Sequence, residues 1–329
     1  MSLVSSDLGE FELIRRFFVR DQRPQRAPGV VLGIGDDAAI LDLPKGAELV
    51  AAVDTIVAGR HFPENSDARS IGHRALAVNL SDIAAMGATP LWATLALTMP
   101  SADPDWLEKF AAGFLELADA HGVALVGGDT TRGPLTVSVQ ILGHVAQGTA
   151  LRRSGAQAGD LLAVSGTLGD AAAGLACLEA SPPRARSHEV NELIRRFDYA
   201  EPRVQLGACS RGIATAAMDL SDGLVGDLPK LAQASGLAAR VDVERLPLSA
   251  AIQSAASSSQ ALEWALSGGD DYELLLAVPP TRFAELKAAA NRLNLTLTAI
   301  GELCGGAGVT WSLKGKDFVP RVSGFDHFA

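Results

Sequence analysis

The sequence of 329 residues contains only three cysteines, and its acidic side chains outnumber its basic ones. Cys177, Cys209 and Cys304 lie far apart without a CxxC pair, which excludes a disulfide framework and a structural zinc site and favours a reducing cytoplasm. No run of about 18 uninterrupted apolar residues occurs, so a membrane-spanning helix is not expected. The formal net charge is −10, which argues against nucleic acid or an anionic membrane as a general partner.

The sequence also lacks the familiar nucleotide-binding motifs. Neither a GxxxxGK[ST] loop nor an HRD and DFG pair is present, which excludes the P-loop and protein-kinase machinery. The stretch Gly33-x-Gly35-x-x-Ala38 formally matches the dinucleotide fingerprint. We exclude that reading because Asp36 and Asp37 would face a pyrophosphate, and Pro44 prevents a long helix from following.

The length and composition predict a globular protein of two domains. The apolar content is 48% and the charged content is 20%, values typical of chains that bury a core. Residues 1–18 carry five charged side chains, so a signal peptide is not expected. A glycine- and arginine-containing stretch at 148–159 favours a boundary between an N-terminal domain, 1–148, and a C-terminal domain, 149–329.

Periodicity along the chain alternates between helix and strand patterns, which predicts an α/β or α+β fold. Helix punctuation is clearest where Asp103 precedes Pro104 and Gly122 follows, and Ser66 is expected to cap an earlier helix. A short pattern occurs twice: Leu-Ser-Asp is followed, 47 residues later in one case and 48 in the other, by the aspartate of Gly-Gly-Asp. This repeat leaves open whether the chain contains an internal duplication.

Aspartates recur at predicted strand ends and beside glycines, where loops gather at one edge of a sheet. A single aspartate of this kind is usually a cap or turn residue, so the hypothesis of a site depends on the whole set. Oxygen ligands without His or Cys favour Mg²⁺. The predicted metal ligands are Asp37, Asp54, Asp82, Asp129, Asp219 and Asp222.

Two further side chains are candidates for ligand contacts. Arg153 is the best local cation for a phosphate tail, although a solvated linker arginine is an equally good interpretation. His61 lies in a glycine-proline loop that we expect to be exposed, and a ligand contact or an ordinary surface role both remain open.

These motifs, taken in order over nearly the whole chain, resemble the thiamine-monophosphate kinase family. The resemblance is carried by Gly33-Ile34-Gly35-Asp36-Asp37, Asp54-Thr55, Gly59-Arg60-His61-Phe62, Asn79-Leu80-Ser81-Asp82, Gly127-Gly128-Asp129-Thr130-Thr131-Arg132-Gly133, Arg153-Ser154-Gly155, Asp219-Leu220-Ser221-Asp222-Gly223, Gly268-Gly269-Asp270-Asp271-Tyr272-Glu273 and Gly324-Phe325-Asp326-His327-Phe328.

The resemblance implies ATP-dependent phosphorylation of thiamine monophosphate to thiamine diphosphate, with several Mg²⁺ ions. It implies the two-domain fold of aminoimidazole ribonucleotide synthetase, with the N-terminal domain binding metal and ATP and pairing across a homodimer. It assigns the six aspartates to metal. Because the acceptor phosphate is already anionic at neutral pH, no residue is expected to act as an acid or base. Nucleotide contacts fall on Gly128, Asp129, Arg153 and Ser221, and substrate contacts on His61, Asp270 and Phe325.

Two alternatives remain at this point. One is another ATP-dependent enzyme of the same superfamily, and the other is a non-catalytic module that binds divalent metal. The chain departs from the family pattern at Ala52-Val53, where hydroxyl residues are common, at Asp270, where Glu is frequent, and at Phe325, where Tyr or Trp is common.

Overall fold

The structure, a computed structural model, describes residues 10–19, 27–180 and 185–321. They form two compact units of mixed helix and sheet, which confirms the predicted fold class. The first unit comprises Met1–Asn79 and Pro90–His144, and the second comprises Leu80–Thr89 and Val145–Ala329. The chain thus changes units at His144, four residues before the expected boundary, and residues 80–89 are counted with the second unit. The expected roles of the two domains stay predictions.

The first unit is built on a four-stranded sheet in the order β3-β6-β4-β5. β4 and β5 are parallel, with Leu95 opposite Gly128 and Ala96 opposite Asp129. A separate two-stranded sheet pairs β1 with β2. The elements from the N-terminus are α1 (Glu10–Phe17), β1 (Val30–Leu32), β2 (Ile40–Leu41), β3 (Ala47–Val57), α2 (Ala68–Ala85), β4 (Thr89–Met99), α3 (Pro104–Ala120), β5 (Ala124–Arg132) and β6 (Thr136–Ala146).

Helix α3 begins as the sequence predicts. The Asp103 carboxylate accepts hydrogen bonds from the main-chain N–H groups of Asp105 and Trp106, and Pro104 occupies the first turn. The cap of α2 differs from the one expected. The helix begins at Ala68, and the side chain that accepts the N–H of Arg69 belongs to Asp67 and not to Ser66. Aspartate and serine are equally good caps, so adjacent candidates cannot be ranked from sequence.

The second unit is built on a seven-stranded sheet in the order β13-β12-β9-β11-β7-β10-β8. Its elements are β7 (Leu161–Ser165), α4 (Asp170–Leu178), α5 (His188–Asp198), α6 (Val204–Ser210), β8 (Ala216–Asp219), α7 (Leu224–Ala234), β9 (Ala238–Asp242), α8 (Ala250–Ala255), α9 (Ser258–Ser267), β10 (Leu274–Val278), α10 (Pro280–Arg292), β11 (Leu297–Cys304), β12 (Gly308–Leu313) and β13 (Lys316–Phe318), with a 3₁₀ turn at Val243–Arg245. None of the described helices is long and apolar enough to cross a membrane.

Strand β10 lies between β7 and β8 in this sheet. All five of its residues are buried, and it pairs antiparallel with both β7 and β8. Leu274, its first residue, lies opposite Asp219, the last residue of β8. The segment that enters β10 and the turn that leaves β8 are therefore neighbours, although they are about 50 residues apart in sequence.

Candidate functional site

A cavity of about 1050 Å³ in the first unit contains two of the predicted metal ligands. Asp36 and Asp37 enter it from the glycine turn after β1, and Asp129 enters it from β5. Asp36 Oδ1 accepts the N–H of Asp37 at 2.8 Å, which fixes one carboxylate of the pair. All three carboxylates are exposed, so water screens their mutual repulsion.

Gly128 brings β5 close enough to β4 to place Asp129 in this cavity. A Cβ atom at position 128 would lie 1.9 Å from the carbonyl oxygen of Leu95, so only glycine fits here. The apolar run 123–126 predicts only a short strand that ends before the glycine pair 127–128. The glycine pair is instead part of β5, which continues to Arg132.

Asp54 and His61 belong to the same unit but do not line this cavity. The N–H of Asp54, on β3, donates to the buried side chain of Asn79 at 3.1 Å. The Nδ1 atom of His61 accepts the N–H of Val57 at 3.0 Å, so a neutral imidazole carries its proton on Nε2. His61 is half-buried and not exposed as expected, because its loop folds back onto the end of β3.

Asp82 and Asp219 lie in the second unit. Asp219 is buried at the end of β8, and its Oδ2 accepts the hydroxyl of Ser81 at 2.7 Å. Asp82 follows Ser81 on the last turns of α2, within the segment that belongs to this unit. The Ser81 hydroxyl thus links the segments that carry two of the predicted ligands.

The turn after β8 is organised by a residue that the sequence interpretation missed. Asp227 is buried, and its Oδ2 accepts the N–H groups of Ser221 and Asp222 at 3.0 and 2.9 Å. Burial raises the pKa of Asp227, and the ammonium of Lys230 opposes this shift. Lys230 Nζ contacts Asp227 at 2.9 Å and Asp222 at 2.6 Å, so Asp222 already binds a cationic group.

Arg153 presents an exposed guanidinium, and no described residue forms an ion pair with it. Its carbonyl oxygen accepts the hydroxyl of Ser235 at 3.0 Å, which holds the main chain in place. An anchored arginine with an uncommitted side chain suits an anionic ligand.

Asp270 lies in a backbone segment of unusual conformation. Asp270 and Tyr272 have φ angles of 61° and 50°, and Gly269 has 69°. Positive φ at a non-glycine residue costs about 1–3 kcal/mol and persists only where the surroundings enforce it. Phe325, the third predicted substrate contact, lies outside the described residues.

Glu273, directly after this segment, is completely buried and binds two arginines. It accepts hydrogen bonds from the guanidinium groups of Arg203 and Arg196 and from the hydroxyl of Ser165. Burial raises the pKa of Glu273, but the hydrogen bonds and charge of Arg203 outweigh this effect and hold the pKa below its usual range. The sequence gives no local signal for this network, because Arg203 and Glu273 are 70 positions apart.

Within residues 10–19, 27–180 and 185–321, no three His, Cys, Asp or Glu side chains are placed to hold a metal ion together. The six-residue metal assignment therefore stays a prediction. The donor chemistry of the cavity in the first unit fits Mg²⁺, because Asp36, Asp37 and Asp129 supply only oxygen atoms.

Comparison with known proteins identifies relatives over nearly the whole chain. Residues 35–145 and 157–314 match the N-terminal and C-terminal domains of AIR synthase related proteins. A thiamine-monophosphate kinase of Salmonella typhimurium is 45% identical over 322 residues, which cover 98% of each chain.

Two solved structures are similar to this one. Thiamine-monophosphate kinase from Stenotrophomonas maltophilia K279a has a TM-score of 0.83 and 46% identity, covering 88% of this chain and 92% of that one. AaThiL complexed with AMPPCP and TMP has a TM-score of 0.77 and 30% identity, covering 99% of both chains. The chain therefore belongs to the thiamine-monophosphate kinase family of AIR synthase related proteins.

Proposed function

We propose that this chain transfers the γ-phosphoryl group of ATP to thiamine monophosphate, forming thiamine diphosphate and ADP by direct in-line transfer with several Mg²⁺ ions. The observation that carries the proposal is that Asp37 and Asp129 line the same cavity, beside the close approach of Gly128 to β4. A related structure that contains both AMPPCP and TMP supports the choice of nucleotide and acceptor.

The acceptor determines what the protein must supply. The second pKa of a phosphate monoester is about 6, so the attacking oxygen of thiamine monophosphate is already anionic at neutral pH. A general base is therefore unnecessary, and none of the aspartates is assigned that role. The obstacle is repulsion between two anionic substrates, which a set of carboxylates overcomes by holding cations between them.

The residues divide into three roles. Metal ions would be held by Asp37, Asp54, Asp82, Asp129, Asp219 and Asp222. When bound, Mg²⁺ neutralises phosphate charge and orients the attacking and leaving oxygens. Gly128, Asp129, Arg153 and Ser221 would contact the nucleotide, and His61, Asp270 and Phe325 the thiamine substrate.

Individual contacts of the described chain support these roles. The Ser81 hydroxyl fixes one oxygen of Asp219, and Asp227 fixes the main chain of Ser221 and Asp222. The exposed guanidinium of Arg153 suits a nucleotide phosphate. Lys230 would have to yield part of its contact with Asp222 when a metal ion binds there.

Product formation with Mg-ATP tests the proposal, with thiamine monophosphate and free thiamine as parallel acceptors. Thiamine diphosphate and ADP should form only from the monophosphate. Asp37→Asn and Asp129→Asn should each lower kcat/KM by more than about 100-fold, since each removes a charge from the proposed metal site. Asp103→Asn is the matched control, because asparagine caps α3 as well as aspartate does.

The alternatives make different predictions in the same assay. A non-catalytic metal-binding module would bind Mg²⁺ without releasing ADP. Another ATP-dependent enzyme of the superfamily would bind ATP and leave both thiamine acceptors unchanged. Near-normal rates in both Asn variants would contradict the metal assignment while leaving the reaction intact.

We also infer that the chain works as a cytoplasmic homodimer that pairs through the first unit. β3 is an edge strand of its sheet, and Leu49 and Val53 on it are 54% and 64% exposed. An exposed apolar edge strand favours pairing with another strand, and a second copy of this chain supplies one.

A further inference from the structure

The proposed reaction does not by itself explain why the segment Gly269–Tyr272 has a strained backbone. The segment carries Asp270, which the proposed function places against the thiamine substrate, so the present inference rests on that assignment. Short polar residues such as aspartate tolerate a left-handed conformation, whereas an aromatic residue seldom adopts it. Tyr272, with φ of 50°, is therefore the informative residue.

Main-chain hydrogen bonds hold this segment against the turn after β8. The N–H of Asp270 donates to Ser221 O, and the N–H of Tyr272 donates to Leu220 O, both at 2.9 Å. In return, the N–H of Leu220 donates to Glu273 O at 2.9 Å. The backbone that carries Asp270 is thus paired with the backbone that carries Ser221, a proposed nucleotide contact.

Buried carboxylates on both sides of Tyr272 fix the same segment from within the unit. Asp271 accepts the N–H of Gly169 with both of its oxygens at 2.9 Å. Glu273 binds Arg203 and Arg196 and is 0% exposed. The ion pairs of Glu273 have few alternative geometries, and the side chain of Asp271 is held by the N–H of Gly169, so Tyr272 has to follow the path between two fixed residues.

The consequence of this path is a hydrogen bond between the side chains of Tyr272 and Asp270. The Tyr272 hydroxyl donates to Asp270 Oδ1 at 3.1 Å, across two residues of strained backbone. Tyr272 is buried, whereas Asp270 is partly exposed. A hydrogen bond from a buried donor restricts the rotamers that the Asp270 carboxylate can adopt.

We propose that Tyr272 is a positioning residue for substrate binding: its hydroxyl orients the Asp270 carboxylate towards the cationic ring of the acceptor, and the Glu273–Arg203 ion pair maintains the strained backbone on which that contact depends. Tyr272 acts through Asp270 and does not itself contact substrate. Tyr272 therefore affects the affinity for thiamine monophosphate and not the rate of phosphoryl transfer.

Tyr272→Phe tests this directly, because it deletes one hydroxyl and keeps the buried ring. The variant should raise the KM for thiamine monophosphate roughly tenfold, the loss expected for a hydrogen bond to a charged group. The KM for ATP and kcat should stay within about twofold of the parent values. Isothermal titration with thiamine monophosphate alone should show the same loss of affinity.

Tyr199→Phe is the matched control, since Tyr199 is the only other tyrosine in the sequence and belongs to the same unit. It should leave both KM values unchanged. An unchanged acceptor KM in Tyr272→Phe would overturn the proposal. An equal rise of the ATP and acceptor KM values, which general loosening of the unit would cause, would also overturn it.

A double-mutant cycle with Asp270→Ala separates positioning from a merely structural role. If Tyr272 acts through Asp270, adding Tyr272→Phe to Asp270→Ala should change the acceptor KM no further. A full additional effect would show that Tyr272 acts elsewhere. Asp270→Ala with a normal acceptor KM would remove Asp270 from the substrate site, whereas failure of the parent protein to phosphorylate thiamine monophosphate would overturn the proposed function instead.

Discussion

Arg152 and Arg153 are neighbouring exposed arginines that differ in their expected roles. Arg153→Ala should raise the KM for ATP about tenfold or more with little change in kcat, because it removes one charged contact to a phosphate. Steady-state kinetics with varied ATP measure this effect. Arg152→Ala provides the control, and an equal effect of the two changes would indicate general electrostatic attraction and not a specific contact.

The buried carboxylate of Glu273 leads to a prediction about pH. Its folded-state pKa is lowered, so it stabilises the fold at pH values above its unfolded pKa, and this stabilisation is lost as the pH falls through the folded value. Glu273→Gln removes the buried counter-charge of Arg203 and Arg196, which keep only the exposed Glu201, and should lower the free energy of unfolding at pH 7 by about 3–5 kcal/mol. Urea unfolding of the parent protein and the variant, at pH 7 and near pH 4, measures the difference between their free energies of unfolding. This difference should be smaller at the lower pH.

Glu192 provides the comparison for that experiment. It binds Arg195 at 2.8 Å at the exposed rim of the same group of charges. Glu192→Gln should lower the free energy of unfolding by less than about 1 kcal/mol, because water screens an exposed ion pair. If both variants lost a similar amount of unfolding free energy, burial would not be the reason why the ion pair of Glu273 stabilises the fold.

Local sequence patterns identify the charged residues beside glycines. They do not identify the residues that position those charged residues through hydrogen bonds and ion pairs. Asp37 and Asp129 were predicted from local patterns and do line one cavity. Asp227 was not singled out, and Tyr272 and Glu273 were noted only as part of a motif. The partners of Asp227 and Tyr272 are close in sequence but follow no standard spacing, whereas Glu273 binds Arg203 and Arg196, 70 and 77 positions away. A hydrogen bond between distant positions leaves no periodic or spacing signal in a single sequence.

Helices α2 and α3 cross at two glycines. A Cβ atom on Gly72 would lie 2.0 Å from Phe110 O, and one on Gly113 would lie 2.0 Å from Arg69 O. Gly113→Ala should therefore lower the free energy of unfolding by about 1–3 kcal/mol, even though alanine favours helix, because the main chains must move apart. Urea unfolding measures this change. Glu108→Ala, at an exposed position of α3, should be nearly neutral, and a stabilising Gly113→Ala would contradict the close crossing.

Elements with strong local signals were predicted well, and elements defined by their neighbours were not. Helix α3 has the cap that the sequence predicts. The strands β9, β12 and β13 were not predicted. β9 and β12 alternate small or polar residues with few large apolar ones, and they become strands because they pair with each other and extend the sheet.

The proposed dimer depends on the exposed edge strand of the first unit. Leu49→Lys combined with Val53→Lys should convert the dimer to a monomer, because charge on an edge strand prevents strand pairing. Analytical ultracentrifugation measures the change. Val319→Lys is the control, since Val319 is 82% exposed but lies in the second unit. A dimer that survives the double change would contradict pairing through β3.

The assignment of residues 80–89 to the second unit has a consequence for synthesis on the ribosome. Leu80, Ile83 and Ala84 are completely buried, and Gly207 lies so close that a Cβ atom there would meet Ala84 O at 2.0 Å. The ribosome makes this segment more than 100 residues before its packing partner. Ala84 therefore cannot make this contact until Gly207 has been synthesised, and a gene fragment that ends at His144 would lack the contact altogether.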